Sequence, residues 1–253
     1  MKSWADIGFE IEMTADGSPT LRLLESVDPL KDHGESMHHS AGACGETLLI
    51  YGTPARRLFE QIERPSFMVV GLGLGYIEMA IAKEALLLQK GPESISRLTS
   101  YESLPELREW FYLWLWGQEE KLSSEVVSIY EAAVKAVIGE SSVRADEIKK
   151  FLRHHFSTLD KISSALDPST PFSDRYHGIM YDAFSSKTSP YLWEEEFLTR
   201  LFSEVCAESS LVTTYSCKAT LKNALRANQF FIVARDGFYG KRKSTIALRA
   251  LDL

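Results

Sequence analysis

The sequence runs FMVVGLGLG from Phe67 to Gly75. Its continuous apolar start predicts a strand that is buried on both faces of a sheet. Gly71, Gly73 and Gly75 then predict a turn in which the backbone can approach a ligand closely. Apolar positions recur at helical spacing from Tyr76 to Gln89, so the turn opens a helix whose free N–H groups face that point. The spacing is not G-x-G-x-x-G and does not indicate a dinucleotide pyrophosphate. A simple tight strand–helix turn is the alternative.

Two carboxylates stand at the ends of predicted strands further along the chain. Glu102 ends the run that begins at Leu98, and Asp182 follows Ile179-Met180-Tyr181. Because ligands bind beyond the carboxyl ends of strands in open α/β sheets, both side chains are predicted near the glycine turn. Glu102 can accept the ribose hydroxyls of an adenosine, and Asp182 can hold an amine and take its proton. The alternatives are a solvated strand end for Glu102 and a helix cap or a lysine partner for Asp182.

Strand and helix patterns alternate after Phe67. Further strands are predicted at 98–102, 156–160, 177–182 and 211–215, with helices between them, and 229–234 with 245–250 form a closing hairpin. Alternation of this kind predicts an α/β fold with a mainly parallel sheet of seven strands and an antiparallel C-terminal edge.

The first 60 residues have a different pattern. Residues 7–13 alternate apolar and polar side chains, 21–24 follow a turn signal, and 46–51 are predicted as a further extended piece. We therefore predict a small β-rich extension over residues 1–60 and one α/β domain over 61–253.

Composition excludes several classes of protein. No apolar stretch approaches the ~20 residues that span a bilayer, and the N-terminus lacks the pattern of a signal peptide. Three scattered cysteines indicate free thiols in a reducing compartment, so a cytoplasmic location is expected. The net charge is −7, but residues 211–253 carry eight basic and two acidic side chains, which leaves +6 there and −13 elsewhere. This basic end is either a face for a polyanion or a chance cluster.

Histidines and aromatic side chains give weaker signals. His38 and His39 are predicted to line a pocket, but no acidic or cysteine partner stands at metal-ligand spacing, and we expect no metal site. The aromatic helix from Leu104 to Trp116 is explained by core packing, with a partner surface as the alternative.

Several motifs together resemble a known family, the methyltransferase half of the bifunctional tRNA 5-methylaminomethyl-2-thiouridine biosynthesis protein and its stand-alone relatives. The resemblance extends from about His39 to the C-terminus. Its motifs are Gly45-Glu46-Thr47, the glycine turn, Tyr101-Glu102-Ser103-Leu104-Pro105, Tyr181-Asp182-Ala183-Phe184-Ser185, Pro190-Tyr191-Leu192-Trp193, Thr213-Thr214-Tyr215-Ser216 and Gly237-Phe238-Tyr239-Gly240-Lys241-Arg242.

The resemblance implies a Rossmann-like class I methyltransferase fold and S-adenosylmethionine as cofactor. It implies methylation of the exocyclic amine of 5-aminomethyl-2-thiouridine at the tRNA wobble position, with a separate flavin oxidase as an upstream partner. The resemblance implies that Asp182 orients the amine. For the cofactor it implies Glu102 at the ribose, Asp160 by the adenine, and also Gly71, Gly73, Gly75 and Glu46. For the substrate it implies Phe184, Tyr215, Lys241 and Arg242, with Lys243 as a further phosphate contact.

One departure from the family pattern leaves alternatives open. Val69 stands two positions before the first glycine, where many members carry an acidic residue that helps to bind the cofactor. Val69 and the net charge of −13 outside residues 211–253 favour a methyltransferase fold with another amine substrate, or a non-catalytic binding module. The Asp182 loop and the Lys241-Arg242 pair favour the tRNA enzyme.

Overall fold

The computed structural model describes residues 1–24, 34–240 and 243–252 of the 253-residue chain. Its strands are β1 (Phe9–Met13), β2 (Pro19–Leu23), β3 (Ser66–Val70), β4 (Arg97–Tyr101), β5 (Ile162–Ser163), β6 (Tyr176–Tyr181), β7 (Cys206–Thr214), β8 (Phe231–Asp236) and β9 (Lys243–Arg249). Its α-helices are α1 (Ala43–Thr47), α2 (Thr53–Gln61), α3 (Tyr76–Leu87), α4 (Pro105–Leu115), α5 (Ser124–Ile138), α6 (Ala145–His155), α7 (Glu195–Val205) and α8 (Ala219–Ala227).

The central sheet has seven strands in the order β5-β4-β3-β6-β7-β9-β8. The pairs from β5 to β7 are parallel, whereas β9 pairs antiparallel with both β7 and β8. The predicted α/β fold, with its parallel sheet and antiparallel C-terminal edge, is therefore confirmed. The strand order reverses at β3, since β4 lies on one side of it and β6 on the other. Such a reversal opens a crevice at the carboxyl ends of these strands.

Strand β3 lies at the centre of the core, and all five of its residues are buried. Phe67 and Val69 pack into an apolar cluster that includes side chains of α3, α5 and α6. Met68 and Val70 face the other way and pack against α7 and α8. Because alternate side chains of a strand point to opposite faces, an unbroken apolar run fits only a strand that is covered on both sides.

The N-terminal segment contains the predicted antiparallel pair, β1 with β2. The prediction of an extended piece at 46–51 is wrong. Helix α1 is followed by a wider π-helical turn from Leu48 to Gly52 and then directly by α2. Burial explains the difference, because Ile50 and Tyr51 are buried in the same cluster as Phe67 and tertiary packing overrides local propensity. The domain division at residue 60 stays a prediction.

The predicted third strand at 156–160 is also wrong. Only Phe156 of that run is buried, and 157–160 are exposed. Phe156 ends α6, a short 3-10 turn covers Leu159–Lys161, and the strand that pairs with β4 is limited to Ile162–Ser163. The sequence pattern alone did not reveal that the buried residue, Phe156, lies at the end of a helix and not in a strand. In the described part of the chain, no helix is long and apolar enough to cross a membrane.

Candidate active site at the ends of the central strands

The glycine turn after β3 lies against the end of β6. Gly71 has a φ of +97°, and a Cβ atom on it would lie 2.5 Å from the carbonyl oxygen of Asp182. Gly75 has a φ of +77°, and a Cβ atom there would lie 2.2 Å from the ring of Phe111. Only glycine combines this left-handed backbone with such close approach. The turn therefore brings the backbone of Gly71 beside the Asp182 loop, while Gly75 seats the start of α3 on the core.

Glu102 follows β4 and turns its carboxylate back onto the glycine turn. Its Oε2 accepts the N–H of Gly73 at 3.0 Å, and its Oε1 accepts the N–H of Leu104 at 2.9 Å. The side chain is 8% exposed. Burial raises the pKa of Glu102, while the two backbone donors act in the opposite direction. Backbone groups on both sides thus fix this carboxylate.

Asp182 follows β6, and its N–H donates to the carbonyl of Val70 at 2.9 Å. Its Oδ1 accepts the hydroxyl of Tyr51 at 2.6 Å. Among the described residues no donor reaches Oδ2. Burial raises the pKa of Asp182 to about 7, although the Tyr51 hydrogen bond lowers it, and the nearby charge of Glu46 raises it further. The carboxylate therefore has one fixed oxygen and one open oxygen.

Tyr51 and Glu46 reach the site from the helical segment before α2. Burial and the charge of Asp182 raise the pKa of Tyr51 well above its usual value, so its hydroxyl keeps its proton. Glu46 accepts the N–H of His39 at 2.7 Å through Oε2. Sequence reasoning missed Tyr51 because it assigned this run to a strand. The signal was present, since Thr53-Pro54 is typical of a helix start.

A cavity of about 1200 Å³ opens at this edge of the sheet. It brings together seven of the site residues expected from the sequence: Gly71, Gly73, Glu102, Glu46, Asp182, Phe184 and Tyr215. Tyr51 and His38 also line it. The polar groups of three neighbouring strand ends and of the N-terminal helical segment therefore meet around one space.

Other expected site residues lie elsewhere. Gly75 does not line the cavity and serves the packing of α3 instead. Asp160 is exposed, does not line the cavity and belongs to the 3-10 turn before β5, so the structure gives no contact that supports a role at an adenine. Lys241 and Arg242 lie outside the described residues, and Lys243 begins β9 with an exposed side chain.

The comparisons with known proteins agree with this geometry. A family model described as S-adenosyl-L-methionine-dependent methyltransferase matches residues 120–250, slightly more than half of the chain. The chain belongs to this family of methyltransferases. The prediction of an S-adenosylmethionine-dependent methyltransferase, and with it the predicted cofactor, is thereby confirmed.

One solved structure and one curated relative extend the comparison to nearly the whole methyltransferase. The structure of MnmC2 from Aquifex aeolicus has a TM-score of 0.63 and 23% identity, and the match covers 97% of this chain and 72% of that one. At this identity the likeness shows the fold. Uncharacterized protein MJ0670 of Methanocaldococcus jannaschii is 23% identical over 240 residues, which are 93% of this chain. The methyltransferase spans 58% of that relative's length.

The cavity of the methyltransferase fits S-adenosylmethionine. Beside Glu102 it is lined by Tyr101, Ala165 and Leu166, which offer an apolar surface to an adenine. A Cβ atom on Gly73 would lie 3.1 Å from Sδ of Met37, so a side chain there would crowd the lining. Glu102 keeps acceptor capacity beyond its backbone donors, because a carboxylate has about four lone-pair sites. Val69 is fully buried in β3 and adds no polar group to this lining.

The loop after Asp182 is tied down through its backbone. The hydroxyl of Tyr215 donates to the carbonyl of Ala183 at 2.9 Å, and Nε1 of Trp193 donates to the carbonyl of Phe184 at 2.6 Å. The N–H of Ser185 donates to Glu35 at 2.9 Å. These contacts come from both ends of the chain and hold the loop against the cavity.

Lys218, which precedes α8, lines the same cavity. Its Nζ donates to Oγ of Ser186 at 2.6 Å and lies 5.9 Å from the centre of the Trp193 ring. No carboxylate within the described residues forms an ion pair with Lys218. The cavity therefore contains an ammonium group that no described carboxylate neutralises, which sequence reasoning counted in the basic segment but did not assign to the site.

His38 lines the cavity and is held by a polar side chain of β2. His38 shares a hydrogen bond of 2.9 Å between its Nδ1 and the hydroxyl of Thr20. Burial lowers the pKa of His38 to about 4, so the ring is neutral at pH 7. Across the described parts of the chain, no group of three or more His, Cys, Asp or Glu side chains could hold a metal ion.

Proposed function

We propose that this methyltransferase acts on the exocyclic amine of 5-aminomethyl-2-thiouridine at the tRNA wobble position. The observation that carries the proposal is Asp182, which lines the cavity, has its backbone against the glycine turn, and has an Oδ2 that accepts no hydrogen bond from the described residues. An amine needs an acceptor of this kind for one N–H, so that its lone pair points away toward the methyl donor. The motifs around Asp182, Tyr215 and Gly237 that resemble the tRNA enzyme support the choice of substrate.

When bound, S-adenosylmethionine supplies an electrophilic methyl group; the amine nitrogen bonds to this carbon as the carbon–sulfur bond breaks and its electron pair stays on sulfur. Asp182 then accepts the proton that the nitrogen gives up. Its pKa of about 7 suits this task, because a base with a pKa near the working pH combines availability with driving force. Tyr51 keeps Oδ1 occupied, so the amine meets Oδ2 in one orientation.

Glu102 and the glycine turn are proposed to hold the cofactor. Its carboxylate accepts the ribose hydroxyls in addition to the N–H groups that fix it. Glu46 also lines the cavity, close enough for its charge to act on Asp182, and we propose that it attracts the amino group of the methionine moiety. Phe184 and Tyr215 border the remaining space and are proposed to contact the base.

Lys218 supports an anionic substrate rather than a small free amine. Four carboxylates line the cavity, those of Glu35, Glu46, Glu102 and Asp182, and none forms an ion pair with Lys218. A phosphate on the reacting nucleotide would form an ion pair with the Lys218 ammonium group. The amine itself has to be made by an earlier step that removes a substituent from the aminomethyl group, and we propose a separate flavin oxidase for it.

The experiment is a methyl-transfer assay with labelled S-adenosylmethionine and two acceptors, tRNA that carries unmethylated 5-aminomethyl-2-thiouridine and the free nucleoside. We expect methylation of the tRNA with a KM at least about tenfold lower than that of the nucleoside. Lys218→Gln should raise the KM of the tRNA only. Lys222→Gln, one turn later on α8 and outside the cavity, is the matched control.

Each outcome bears on one of the open alternatives. Equal use of tRNA and nucleoside would favour a small-amine enzyme. Cofactor binding without transfer to either acceptor would count against the tRNA assignment and leave the methyl acceptor to be found. A failure to bind S-adenosylmethionine at all would point to a relative that works as a binding module.

A further inference from the structure

The π-helical turn from Leu48 to Gly52 contains Tyr51, and side chains of two sheet strands donate hydrogen bonds to its backbone carbonyls. Arg235 on β8 donates from Nη1 to the carbonyl of Leu49 at 3.1 Å and from Nη2 to the carbonyl of Ile50 at 3.3 Å. Thr213 on β7 donates its hydroxyl to the carbonyl of Ile50 at 2.6 Å. Turns of this kind are rare and often occur at functional sites.

The two donors are also joined to each other. Nη2 of Arg235 donates to the hydroxyl oxygen of Thr213 at 3.2 Å, and Nε donates to Ser244 at 2.9 Å. No carboxylate among the described residues pairs with Arg235, and burial lowers its pKa. Its guanidinium is therefore used wholly on neutral acceptors, in a rigid fork that matches two successive carbonyls.

Tyr51 is the next residue after Ile50, and its hydroxyl reaches Asp182 at 2.6 Å. Its ring is 2% exposed and packs in the core, so the direction of the side chain follows the backbone of the turn. A chain of contacts thus extends from β8 through Ile50 and Tyr51 to the open carboxylate. A shift of the turn would release Oδ1 and allow the carboxylate to rotate.

We infer that Arg235 and Thr213 are positioning residues for methyl transfer: they hold the turn Leu48–Gly52 so that Tyr51 fixes one oxygen of Asp182 and leaves the other for the amine. This inference rests on the proposed role of Asp182. Neither residue lines the cavity, and both act through Tyr51.

The groups around Asp182 determine how its pKa changes when the hydrogen bond from Tyr51 is lost. Tyr51 donates to its Oδ1, Glu46 of α1 adds a negative charge, and Tyr215 after β7 lies near Tyr51. The charges of Glu102 and Asp182 both raise the pKa of Glu78 of α3, so these carboxyl groups also act on one another. Tyr51 is the stabilising donor in this set. Weakening its hydrogen bond therefore raises the pKa of Asp182.

The test compares Thr213→Val and Arg235→Lys with Tyr51→Phe. All three should lower kcat by about tenfold, leave the Kd of S-adenosylhomocysteine within about twofold, and move the acid limb of the kcat profile to higher pH. The double variant Thr213→Val with Tyr51→Phe should equal Tyr51→Phe alone, because both changes remove the same contact. Additive losses would overturn the inference.

Arg249→Lys is the matched control. Arg249 on β9 also donates to backbone carbonyls, those of Cys206 at 3.1 Å and Ala207 at 2.6 Å among them, but none of its acceptors belongs to the turn Leu48–Gly52. It should lower the melting temperature as Arg235→Lys does and leave the pH profile unchanged. A shift of the profile in both variants would assign the effect to general loosening of the fold.

A carboxyl ¹³C NMR titration of Asp182 in the free protein, assigned through Asp182→Asn, separates this inference from the proposed function. Arg235→Lys should raise the titration midpoint by about half a pH unit or more. If no acceptor is methylated but the midpoint moves, the proposed function fails and the positioning network stands. An unmoved midpoint in an active enzyme refutes the network alone.

Discussion

Glu102 and Asp182 occupy matching places on either side of β3, yet their carboxylates are held in different ways. Glu102 accepts backbone N–H groups on both oxygens, from Gly73 and Leu104. Asp182 accepts one side-chain hydroxyl, that of Tyr51, and has an open oxygen. Burial raises the pKa of both, and for Asp182 it reaches about 7.

The two environments suit two different roles, cofactor binding for Glu102 and proton transfer for Asp182. A carboxylate fixed by two backbone donors keeps its position, as a ligand for ribose hydroxyls requires. A carboxylate with one donor and a pKa near neutrality can exchange a proton with an amine at little cost. The hydrogen-bond partners of the two acids thus suit them to different roles, although both follow a strand at the same edge of the sheet. Substitution of either acid tests this assignment of roles.

The largest effect is expected for Asp182→Asn. The amide keeps the size of the side chain but cannot accept a proton, so kcat should fall by at least about 100-fold. S-adenosylhomocysteine affinity should stay close to that of the wild type, and the variant should melt at a temperature no lower than that of the wild type. Calorimetric titration and single-turnover methyl transfer measure the two quantities. A lost cofactor affinity would make Asp182 part of the binding site and remove the contrast with Glu102.

Glu102→Gln should show the opposite pattern. Loss of a charged acceptor weakens S-adenosylmethionine binding by about 10- to 100-fold, while tRNA binding changes little. Titration of the purified chain with S-adenosylmethionine and with tRNA measures both affinities. Asp160→Asn is the control, since Asp160 is exposed and does not line the cavity. Equal losses for cofactor and tRNA would contradict the ribose assignment.

The pH profile gives a smaller and more specific effect. Because the charged form of Asp182 accepts the proton and its pKa is about 7, kcat should fall about tenfold for each unit below pH 7. The charge of Glu46 contributes to this raised pKa, so Glu46→Gln should move the acid limb to lower pH at saturating cofactor. A limb that stays in place in Glu46→Gln would show that another group controls the profile.

The smallest effect concerns stability. The pKa of Asp182 is about 7 in the folded state, above an unfolded value of about 3.9, so the folded protein binds more protons between these values. Its contribution to stability is present at pH 4 and is lost as the pH rises through 7. Asn does not titrate, and Asp182→Asn should therefore raise Tm by a few degrees at pH 8 and by less at pH 5. Scanning calorimetry at both pH values is the measurement, and an equal change would contradict the charged-state explanation.

Much of the fold was predictable because its signals are local. Apolar runs marked β3 and β6, the segment from Leu98 to Tyr101 marked β4, and glycines marked the turn between β3 and α3. Carboxylates that directly follow such runs must lie at one edge of a parallel sheet. The placement of Glu102 and Asp182 at a common cavity followed from these patterns, and the structure has both there.

Other parts were not predictable from local pattern. The run from Glu46 to Tyr51 has the composition of a strand, but its burial against the sheet favours a helical segment. Asp160 stood at the end of an apparent strand, whereas the chain forms an exposed turn there. The basic C-terminal segment was counted as surface charge, yet Arg235 and Arg249 donate to backbone carbonyls inside the fold.

The sequence by itself determined the alternation of elements, the glycine turn, the family and the two strand-end acids, since periodicity and backbone sterics act over a few residues. Only the tertiary structure decided how those acids differ. Tyr51 and Lys218 come to the cavity from segments distant in sequence from Asp182. Hydrogen bonding and desolvation depend on which groups meet in space, and these set the charge state of each carboxylate.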